Sequence, residues 1–586
     1  MSPALSSTPA IALLHYTVAL PQPANHLFEV SFEIEGWTAD VLDLKFPVWT
    51  PGSYLVREYV RHLQGFTVLD AQGQPLPWHK LSKNHWKVET QGSSSITIQY
   101  KIFANELTVR TNHLDLTHGY FNPAAMFFRV PGYEETAIAI TILPPQNWHV
   151  STPLAATSQP NTFLAATFDE LVDSPFEIGT HALYDFEVLG KPHQFAIWGE
   201  GNLNIERLLA DTTKIIETEA ALFEGLPYDR YLFLLHLSAN AYGGLEHKSA
   251  CSLIYSRFGL QSEDGYQKFM SLVAHEFFHL WNVKRIRPKG LEVFDYDQEN
   301  YTDSLWFCEG TTSFYDLVIP LRAGIYDAKC YLNKVSEAIT QLQTIPGRKV
   351  QPVSESSFDA WIKLYRPDAN SRNAQVSYYL KGELVSFLLD LLIRAQHQNR
   401  RSLDDVMRQL WQQFGVPEVG FTRDQLKAIF ESVAEIDLTP FWASYIDGTA
   451  ELPFDEILAP FGLMLKAEVS KPAPYLGLTA KTEHGAAIIK FVEAGSPAEQ
   501  AGIEPGDELL AISHFRVSAD QLNDRLQHYQ PQDTISITVF HQDVLRNCAV
   551  TLGEPLPNHW TLQPVAQTTA AQQELFQEWL GIDFSG

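Results

Sequence analysis

The first third of the chain alternates between apolar and polar residues with a period of two. Residues 28–35, FEVSFEIE, show this pattern most clearly, and residues 95–102, SITIQYKI, repeat it. A half-buried strand produces such a period because successive side chains point to opposite faces. Turn-forming segments such as TPGSY at 50–54 separate the apolar runs. We therefore predict an antiparallel β-sandwich over residues 1–188.

The pattern changes near residue 200, where apolar residues begin to recur with the period of a helix. Residues 204–223 form the first such segment and stop at Gly225, whereas residues 231–237, YLFLLHL, are a short apolar run typical of a buried strand. Further helical patterns cover 262–287, 303–321, 373–396, 402–414 and 422–434. We predict a mixed α/β domain at 189–330 that passes into a helical domain at 331–460.

Short strands and turns return from about residue 466. The segment YLGL at 475–478, the turn-rich GSPAEQAGIEPGDEL at 495–509 and the strand pattern at 534–540 indicate one compact domain, predicted at 466–554.

The tail at 555–586 contains an amphipathic segment. Leu575, Phe576, Trp579 and Leu580 fall on one helical face. In a free tail this apolar stripe would be exposed to water, which is unfavourable. We predict that the tail docks either on the protein's own surface or on a neighbouring subunit, and the second case would make the protein a homo-oligomer.

Composition and charge exclude several classes of function. The 586 residues carry a net charge of −27, whereas nucleic acids and anionic lipids are bound by basic surfaces. No apolar run reaches the ~18–20 residues that span a bilayer, and the N-terminus lacks the basic start of a signal peptide. The four cysteines lack metal-binding spacing and are expected to be free thiols: Cys251, Cys308, Cys330 and Cys548. We expect a cytoplasmic protein without nucleic-acid or membrane partners.

The candidate chemistry lies in the helical segment that Ser262 opens as a potential N-cap and that Pro288 closes. Its motif HEFFH places His275 and His279 four residues apart, so both imidazoles leave one face of the helix, one turn apart. This geometry suits two ligands of a tetrahedral Zn²⁺. Glu276 follows the first histidine and can take a proton from a water on the metal. The motif also occurs by chance with structural histidines.

A mononuclear zinc hydrolase needs a third protein ligand and an open position for water. Glu309, in the apolar helical stretch DSLWFCEGTTSFYDLV, is our candidate. A carboxylate in such a stretch is costly unless it has a partner. Glu292 and Glu299 compete for this role, but they lie in polar, loop-like sequence. We expect one zinc ion per chain.

The sequence resembles the glycyl aminopeptidase family in three motifs: HEFFH, then WNVKRIRP, and then WFCEGTT. Members of this family are zinc metallopeptidases of the gluzincin clan that carry a C-terminal PDZ domain. The resemblance covers nearly the whole chain. It implies a multidomain α+β fold with an N-terminal antiparallel β-sandwich, a thermolysin-like α/β catalytic domain passing into a helical domain, and a C-terminal PDZ domain. It also implies an aminopeptidase that prefers small N-terminal residues such as Gly or Ala. The interval from His279 to Glu309 is longer than in most other clan members, so the EGTT context carries the assignment.

The segment NAYGGLEHKSA at 240–250 carries a further resemblance. Gly243 and Gly244 let the backbone run close to a substrate, and the clan's Gly-x-x-Glu segment implies that Glu246 binds the free α-amine of a peptide substrate. An α-amine is mostly cationic at neutral pH, so an opposing carboxylate is attractive. The alternative is an edge-strand turn with an exposed acid. His247 stands where many clan relatives have Asn.

The segment YLKG at 379–382 is similar to the clan's Tyr-x-Lys-Gly. The resemblance implies that the Tyr379 hydroxyl stabilises the oxyanion opposite zinc, with Tyr378 as the alternative if the helix phase differs by one residue. Both tyrosines could instead be core aromatics. A separate basic segment, Lys284, Arg285 and Arg287, follows HEFFH in the sequence. These residues are expected to pair with carboxylates or to position a loop rather than to catalyse.

The same resemblance makes Tyr475, Leu476, Gly477 and Leu478 the carboxylate-binding loop of a PDZ domain, which would take the C-terminus of a peptide as an added strand. The alternative is that this domain packs on the catalytic unit and binds nothing. Two other functions stay open: a zinc endopeptidase, and a non-catalytic PDZ adaptor on a peptidase scaffold.

Overall fold

The computed structural model describes residues 13–470 and 472–582. The first twelve residues, on which the expectation about a signal peptide rests, and the last four residues of the tail lie outside this range. The chain divides into two compact units, Met1–Tyr301 with Trp411–Phe421 and Thr302–Leu410 with Thr422–Gly586. The predicted multidomain α+β class is confirmed. Among the described residues, no helix is long and apolar enough to cross a membrane.

The first unit is rich in strands. They are β1 (Leu13–Ala19), β2 (Leu27–Glu35), β3 (Val41–Lys45), β4 (Leu63–Asp70), β5 (Trp78–Ser82), β6 (His85–Glu89), β7 (Ser95–Phe103), β8 (His113–Leu114), β9 (His118–Phe121), β10 (Ile138–Leu143), β11 (His149–Ser151), β12 (Ala155–Ala156), β13 (Thr162–Ala165), β14 (Phe176–Gly179), β15 (Ala182–Val188), β16 (Lys191–Trp198), β17 (Tyr231–Ser238), β18 (Tyr242–Glu246) and β19 (Ala250–Ser256). Its α-helices are α1 (Phe168–Val172), α2 (Ile205–Phe223) and α3 (Glu263–Phe278).

The N-terminal strands form a sandwich around one core. A seven-stranded sheet, β12-β13-β10-β1-β2-β7-β4, a three-stranded sheet, β3-β6-β5, and a four-stranded sheet, β11-β14-β9-β8, share that core. In β2 every second residue is buried, as its period of two predicts. The pairing is antiparallel except between β1 and β10, which are parallel and joined by a long connection.

A five-stranded sheet, β15-β16-β17-β19-β18, follows in the chain. Its three central strands are parallel, and both edge strands run antiparallel to their neighbours. Strand β17 is buried along nearly its whole length, because α3 packs on one face of the sheet and Tyr120 of β9 packs on the other. The buried-strand prediction for YLFLLHL is confirmed.

Helix α3 is shorter than the sequence predicts. Ser262 caps it, as expected, by accepting a hydrogen bond from Gly265 N at 3.1 Å. The helix ends at Phe278 rather than near Pro288. The chain turns there because Val283 takes a left-handed backbone conformation (φ 93°) and Val283 N donates to Ile286 O.

The second unit is mainly helical up to its last sheet. Its α-helices are α4 (Thr312–Arg322), α5 (Ala328–Gln343), α6 (Val353–Phe358), α7 (Ser371–Ala374), α8 (Tyr378–His397), α9 (Leu403–Leu410), α10 (Arg423–Ala434), α11 (Thr439–Phe441), α12 (Phe454–Leu458), α13 (Pro497–Gln500), α14 (Leu522–Leu526) and α15 (Ala570–Leu580). Its strands are β20 (Leu463–Glu468), β21 (Leu478–Glu483), β22 (Ala486–Val492), β23 (Glu508–Ile512), β24 (Phe515–Arg516), β25 (Thr534–His541), β26 (Val544–Thr551) and β27 (His559–Pro564).

Short helical segments of other types complete the two units. Turns of 3-10 helix lie at Pro23–Asn25, Tyr59–His62, Pro123–Ala125, Lys289–Leu291, Pro346–Lys349 and Ala459–Phe461, and π-helical turns lie at Trp306–Thr311, Trp411–Gly415 and Trp442–Ile446.

The last sheet, β21-β22-β23-β25-β26 with β24 beside β23, encloses its own hydrophobic core. The tail does not join this sheet. Strand β27 pairs with β20, and α15 packs on the helices, with the Trp579 ring 5.3 Å from that of Phe461 and 6.1 Å from that of Phe387. The tail therefore docks on the surface of its own chain, the first of the two predicted outcomes.

The packing of Trp579 yields a stability prediction. Trp579→Ala should destabilise the second unit by roughly 3 kcal/mol, because it removes most of the aromatic contact between α15 and the helices. Glu574→Ala, an exposed position on the same helix, is the matched control and should change stability little. Differential scanning calorimetry measures both. Equal unfolding profiles for Trp579→Ala and the unsubstituted protein would contradict the docking.

Candidate active site

The two histidines of HEFFH converge at the C-terminal end of α3. Their Nε2 atoms lie 3.1 Å apart. The Nδ1 of His279 is 2.8 Å from Asn282 O, so Nδ1–H donates to this carbonyl and leaves a lone pair on Nε2. Two nitrogens that each bind a tetrahedral zinc at about 2.0–2.1 Å would lie about 3.3 Å apart. The pair therefore fits two ligands of one zinc ion.

Glu276 lies directly against the edge strand β18. A Cβ atom placed on Gly244 would meet the Glu276 Oε1 at 2.0 Å, whereas one on Gly243 would meet its nearest neighbour, Arg110, at 3.7 Å. A glycine is therefore required at Gly244 by the packing of Glu276, and the approach of a substrate to Gly243 and Gly244 stays a prediction. The carbonyl of Gly244 also accepts a hydrogen bond from Arg110 at 2.9 Å, which ties β18 to the N-terminal sandwich.

Glu246, at the end of β18, is a buried acid rather than an exposed one. Glu246 is only 4 % exposed, and its Oε1 has no hydrogen-bond partner among the described residues. The turn at Gly52 (φ +83°) closes over it, since a Cβ there would meet Oε1 at 2.5 Å. Burial of an unsatisfied carboxylate oxygen is unfavourable. The site is therefore suited to a cationic or hydrogen-bond-donating ligand.

His247 and Lys284 meet at a residue that the sequence analysis missed, Asp173. Its Oδ1 lies 2.5 Å from the Lys284 Nζ and 3.3 Å from the His247 Nδ1, and its Oδ2 accepts from Lys248 N at 2.7 Å. Burial raises the pKa of Asp173, but Lys284 and His247 together act more strongly and hold it well below its usual range. This buried pairing fixes the loop that follows β18.

The other basic residues after α3 also have structural roles, as predicted. Arg285 donates to the carbonyls of Leu280 and Pro227 at 2.8 and 2.9 Å, and Arg287 lies 3.8 Å from the carboxylate of Glu418. The partners of Arg285 are carbonyls rather than the expected carboxylates, because the chain turns back over its side chain.

Glu219 on α2 is a second residue that the sequence analysis missed. It is fully buried, and neither carboxylate oxygen has a hydrogen-bond partner among the described residues. Burial raises its pKa well above the usual range, and the charge on His275 acts in the opposite direction. The sequence did contain an indication of this buried acid, because Glu219 falls on the apolar face of a helix.

Glu309 lies in the second unit, on the π-helical turn Trp306–Thr311, where a continuous α-helix was predicted. The residue is 2 % exposed. A Cβ on Gly310 would lie 2.5 Å from the Cα of Gly382, so this turn and α8 touch backbone to backbone. The glycines of EGTT and YLKG are therefore explained by one contact, which sets Glu309 and the start of α8 relative to each other.

Helix α8 begins at Tyr378, after the N-cap Ser377. The hydroxyls of Tyr378 and Tyr379 lie 3.2 and 3.1 Å from that of Tyr365, a residue outside every sequence motif. Burial, followed by neighbouring phenols and the charge of Glu309, raises the pKa of Tyr378 well above its usual range. Tyr378 is fully buried, whereas Tyr379 is partly exposed.

The loop at 475–478 lines a groove of about 420 Å³ in the second unit. Gly477 (φ +80°) is required there because a Cβ would meet Ser496 at 2.2 Å. Phe491 and Leu526 form apolar walls, and Arg372 lies over the Phe491 ring at 4.9 Å. The groove offers an apolar wall next to a cation.

Comparisons with known proteins agree with this architecture. Residues 15–180 match the Peptidase M61 N-terminal domain, 268–385 match M61 glycyl aminopeptidase and 474–552 match a PDZ domain. None of the curated proteins compared with the chain matches it.

A solved structure from Idiomarina loihiensis, described as an aminopeptidase N family protein, is 32% identical, has a TM-score of 0.91 and covers 97% of this chain and 100% of its own. An M1 zinc metallopeptidase from Deinococcus radiodurans is 11% identical, with a TM-score of 0.46 over 76% of this chain and 95% of its own, which is too distant to assign a function. The domain matches and the full-length structural relative together show that the chain belongs to the M61 glycyl aminopeptidase family and carries a PDZ domain.

Proposed function

We propose that the chain is a zinc-dependent aminopeptidase that hydrolyses the N-terminal peptide bond of peptides and prefers Gly or Ala at the first position. The observation that supports this function best is the buried, unsatisfied carboxylate of Glu246 on the strand that packs against Glu276. Family membership supports the peptidase activity, and the preference for small residues rests on the family resemblance.

His275, His279 and Glu309 are the proposed ligands of one catalytic zinc ion in each chain. Two imidazoles and one carboxylate, with a fourth position open, are a donor set of catalytic zinc sites. The converging Nε2 atoms of the histidines and the burial of Glu309 support this assignment. When bound, zinc would lower the pKa of its water and polarise the substrate carbonyl.

The protein's own groups would carry the proton and orient the peptide. Glu276 would accept a proton from the attacking water and pass it to the leaving amine. The Tyr379 hydroxyl would donate a hydrogen bond to the oxyanion of the tetrahedral intermediate, with Tyr378 as the alternative. Tyr379 is the more exposed of the two and thus the better placed to reach a substrate.

Glu246 would hold the cationic α-amine and so limit cleavage to one residue from the N-terminus. Strand β18 is the edge of its sheet, so an extended peptide can lie along it as an added strand. Gly243 and Gly244 would keep this stretch of backbone accessible to the peptide.

A peptide with a free N-terminus and its N-acetylated twin separate an aminopeptidase from an endopeptidase. The acetylated peptide should be cleaved at least about 30-fold more slowly in kcat/KM, because removing one partner of a buried charge pair costs roughly 2–5 kcal/mol. Steady-state kinetics with a chromogenic Ala peptide measures this difference.

Glu246→Gln is the control for that comparison. It should slow the free peptide strongly, leave the acetylated peptide at its low rate and so remove most of the discrimination. Equal cleavage of both peptides by the unsubstituted enzyme would sink the aminopeptidase assignment and favour the endopeptidase.

The role of Glu276 as the base is tested by two substitutions that both act on its carboxylate. Glu276→Gln should retain zinc but lower kcat by about 10²–10⁴-fold, the range of general base catalysis. Gly244→Ala should cause a comparable loss, because its Cβ would occupy the place of the Glu276 carboxylate. The double variant should be no slower than Glu276→Gln alone, since both changes remove the same function.

Gly243→Ala is the matched control, because its Cβ meets only ordinary contacts. It should lose far less activity than Gly244→Ala. A fully active Glu276→Gln enzyme would contradict the mechanism, and inactivity of the unsubstituted, zinc-loaded protein on all peptides would instead favour the non-catalytic adaptor.

The PDZ groove is proposed to bind the C-terminus of a peptide, with backbone N–H groups of residues 475–478 facing its carboxylate. Among the described residues the four cysteines form no disulfide bond, which supports a reducing, cytoplasmic location. The net charge of −27 disfavours a nucleic-acid partner, because phosphate binding favours basic proteins.

A further inference from the structure

A second cluster of histidines lies in the first unit, between the four-stranded and the five-stranded sheets. Glu177 and His118 are on the adjacent strands β14 and β9, and His236 is on β17 of the other sheet. His181 follows β14 by two residues. Strand pairing brings together His118 and Glu177, which are 59 positions apart in sequence, and His236 reaches them from the other sheet.

Glu177 is the centre of this cluster. Its Oε1 lies 2.8 Å from the His118 Nδ1, and its Oε2 lies 2.8 Å from the His236 Nε2. The Nδ1 of His181 is 3.9 Å from Oε1. All four side chains are at most 1% exposed. The ligand atoms of His118, Glu177 and His236 lie within 4.8 Å of one another.

No lysine or arginine of the described residues pairs with this carboxylate. Within the described residues, its ion-pair contacts are all with imidazoles. A buried charge is unfavourable unless it is paired or coordinates a metal. A divalent cation held by the carboxylate and the imidazoles would provide that compensation.

His181 supplies a further indication that a ligand belongs here. Its Nδ1 is buried, faces Glu177 and has no hydrogen-bond partner among the described residues. Its other nitrogen, Nε2, is 2.8 Å from the Ser151 hydroxyl. An outer hydrogen bond of this kind fixes the ring orientation and tautomer of metal-binding histidines.

The ring of His118 is fixed in the same way by packing. It stacks on Trp198 with centroids 3.7 Å apart and planes 12° apart. Trp198 and His236 are paired in register on β16 and β17, so the five-stranded sheet positions both. The rings are therefore held in place before any ligand binds.

The donor atoms determine which ion would fit. Imidazole nitrogens suit zinc and neighbouring transition metals, whereas calcium and magnesium prefer oxygen ligands. The imidazoles of His118 and His236 and the carboxylate of Glu177 give three ligands of a tetrahedral zinc ion, and His181 lies beside them with its Nδ1 facing the carboxylate. Such a site would link the N-terminal sandwich to the five-stranded sheet.

We propose that His118, Glu177 and His236 bind a structural zinc ion, with His181 adjacent to it, and that this ion is distinct from the one assigned to the two histidines of HEFFH. The site requires no substrate and no catalytic step. The proposal is independent of the proposed aminopeptidase function.

The test measures zinc bound to a variant in which the two histidines of HEFFH are replaced. His275→Ala/His279→Ala protein, loaded with zinc alone and dialysed, should retain one equivalent by elemental analysis. Adding His236→Gln should lower its zinc affinity by at least about ten- to hundredfold, since even losing a partner of a ligand has an effect of that size. Adding His193→Gln, a buried histidine that bonds to Tyr228 outside the cluster, should leave the zinc in place.

X-ray absorption at the zinc edge covers the case in which His236→Gln does not fold. On the His275→Ala/His279→Ala chain it should show imidazole scattering at about 2.0 Å. Three results would overturn the proposal. The natively folded chain could retain no zinc, its zinc could lack imidazole scattering, or zinc retention could be equal after His236→Gln. In the first case the cluster is a metal-free hydrogen-bonded network.

Discussion

The packing of α3 against the edge strand β18 determines where each group of the candidate site in the first unit can lie. The contact is close enough that Gly244 has no room for a side chain beside Glu276. Glu276 is thereby fixed on the helix and Glu246 on the strand. The distance between them is set by packing and not by the conformation of a loop. Rigid elements hold reacting groups more accurately than loops do. The second unit uses the same principle at Gly310 and Gly382, where two backbones touch beside Glu309.

Buried acids recur around this framework, and their surroundings distinguish their roles. Asp173 is paired with Lys284 and is structurally satisfied. Glu246 retains an oxygen without a hydrogen-bond partner among the described residues, and so does Glu219. Since an unsatisfied buried carboxylate is unfavourable for folding, its presence indicates a ligand or a functional requirement. Stability and function thus make opposite demands on this part of the chain, a conflict expected at functional sites.

Local features were predictable from the sequence because they depend on short-range geometry. The spacing of His275 and His279, the Ser262 cap and the alternation in β2 follow from helix and strand periods. Asp173, Gly52, Glu219 and Tyr365 were missed because their roles depend on contacts between distant segments. The early end of α3 arises from a left-handed residue, Val283, which no propensity indicates. The domain boundaries near 188, 330, 460 and 554 stay predictions.

We propose that His275, His279 and Glu309 hold a zinc ion and that Glu246 binds the substrate amine. A crystal structure of the zinc-loaded protein with bound glycine, with anomalous diffraction recorded at the zinc edge, tests it most directly. Zinc is expected at about 2.0–2.2 Å from the Nε2 of both histidines and from a Glu309 oxygen, with the glycine amine bound to Glu246. Zinc bound without Glu309, or an amine held away from Glu246, would contradict it.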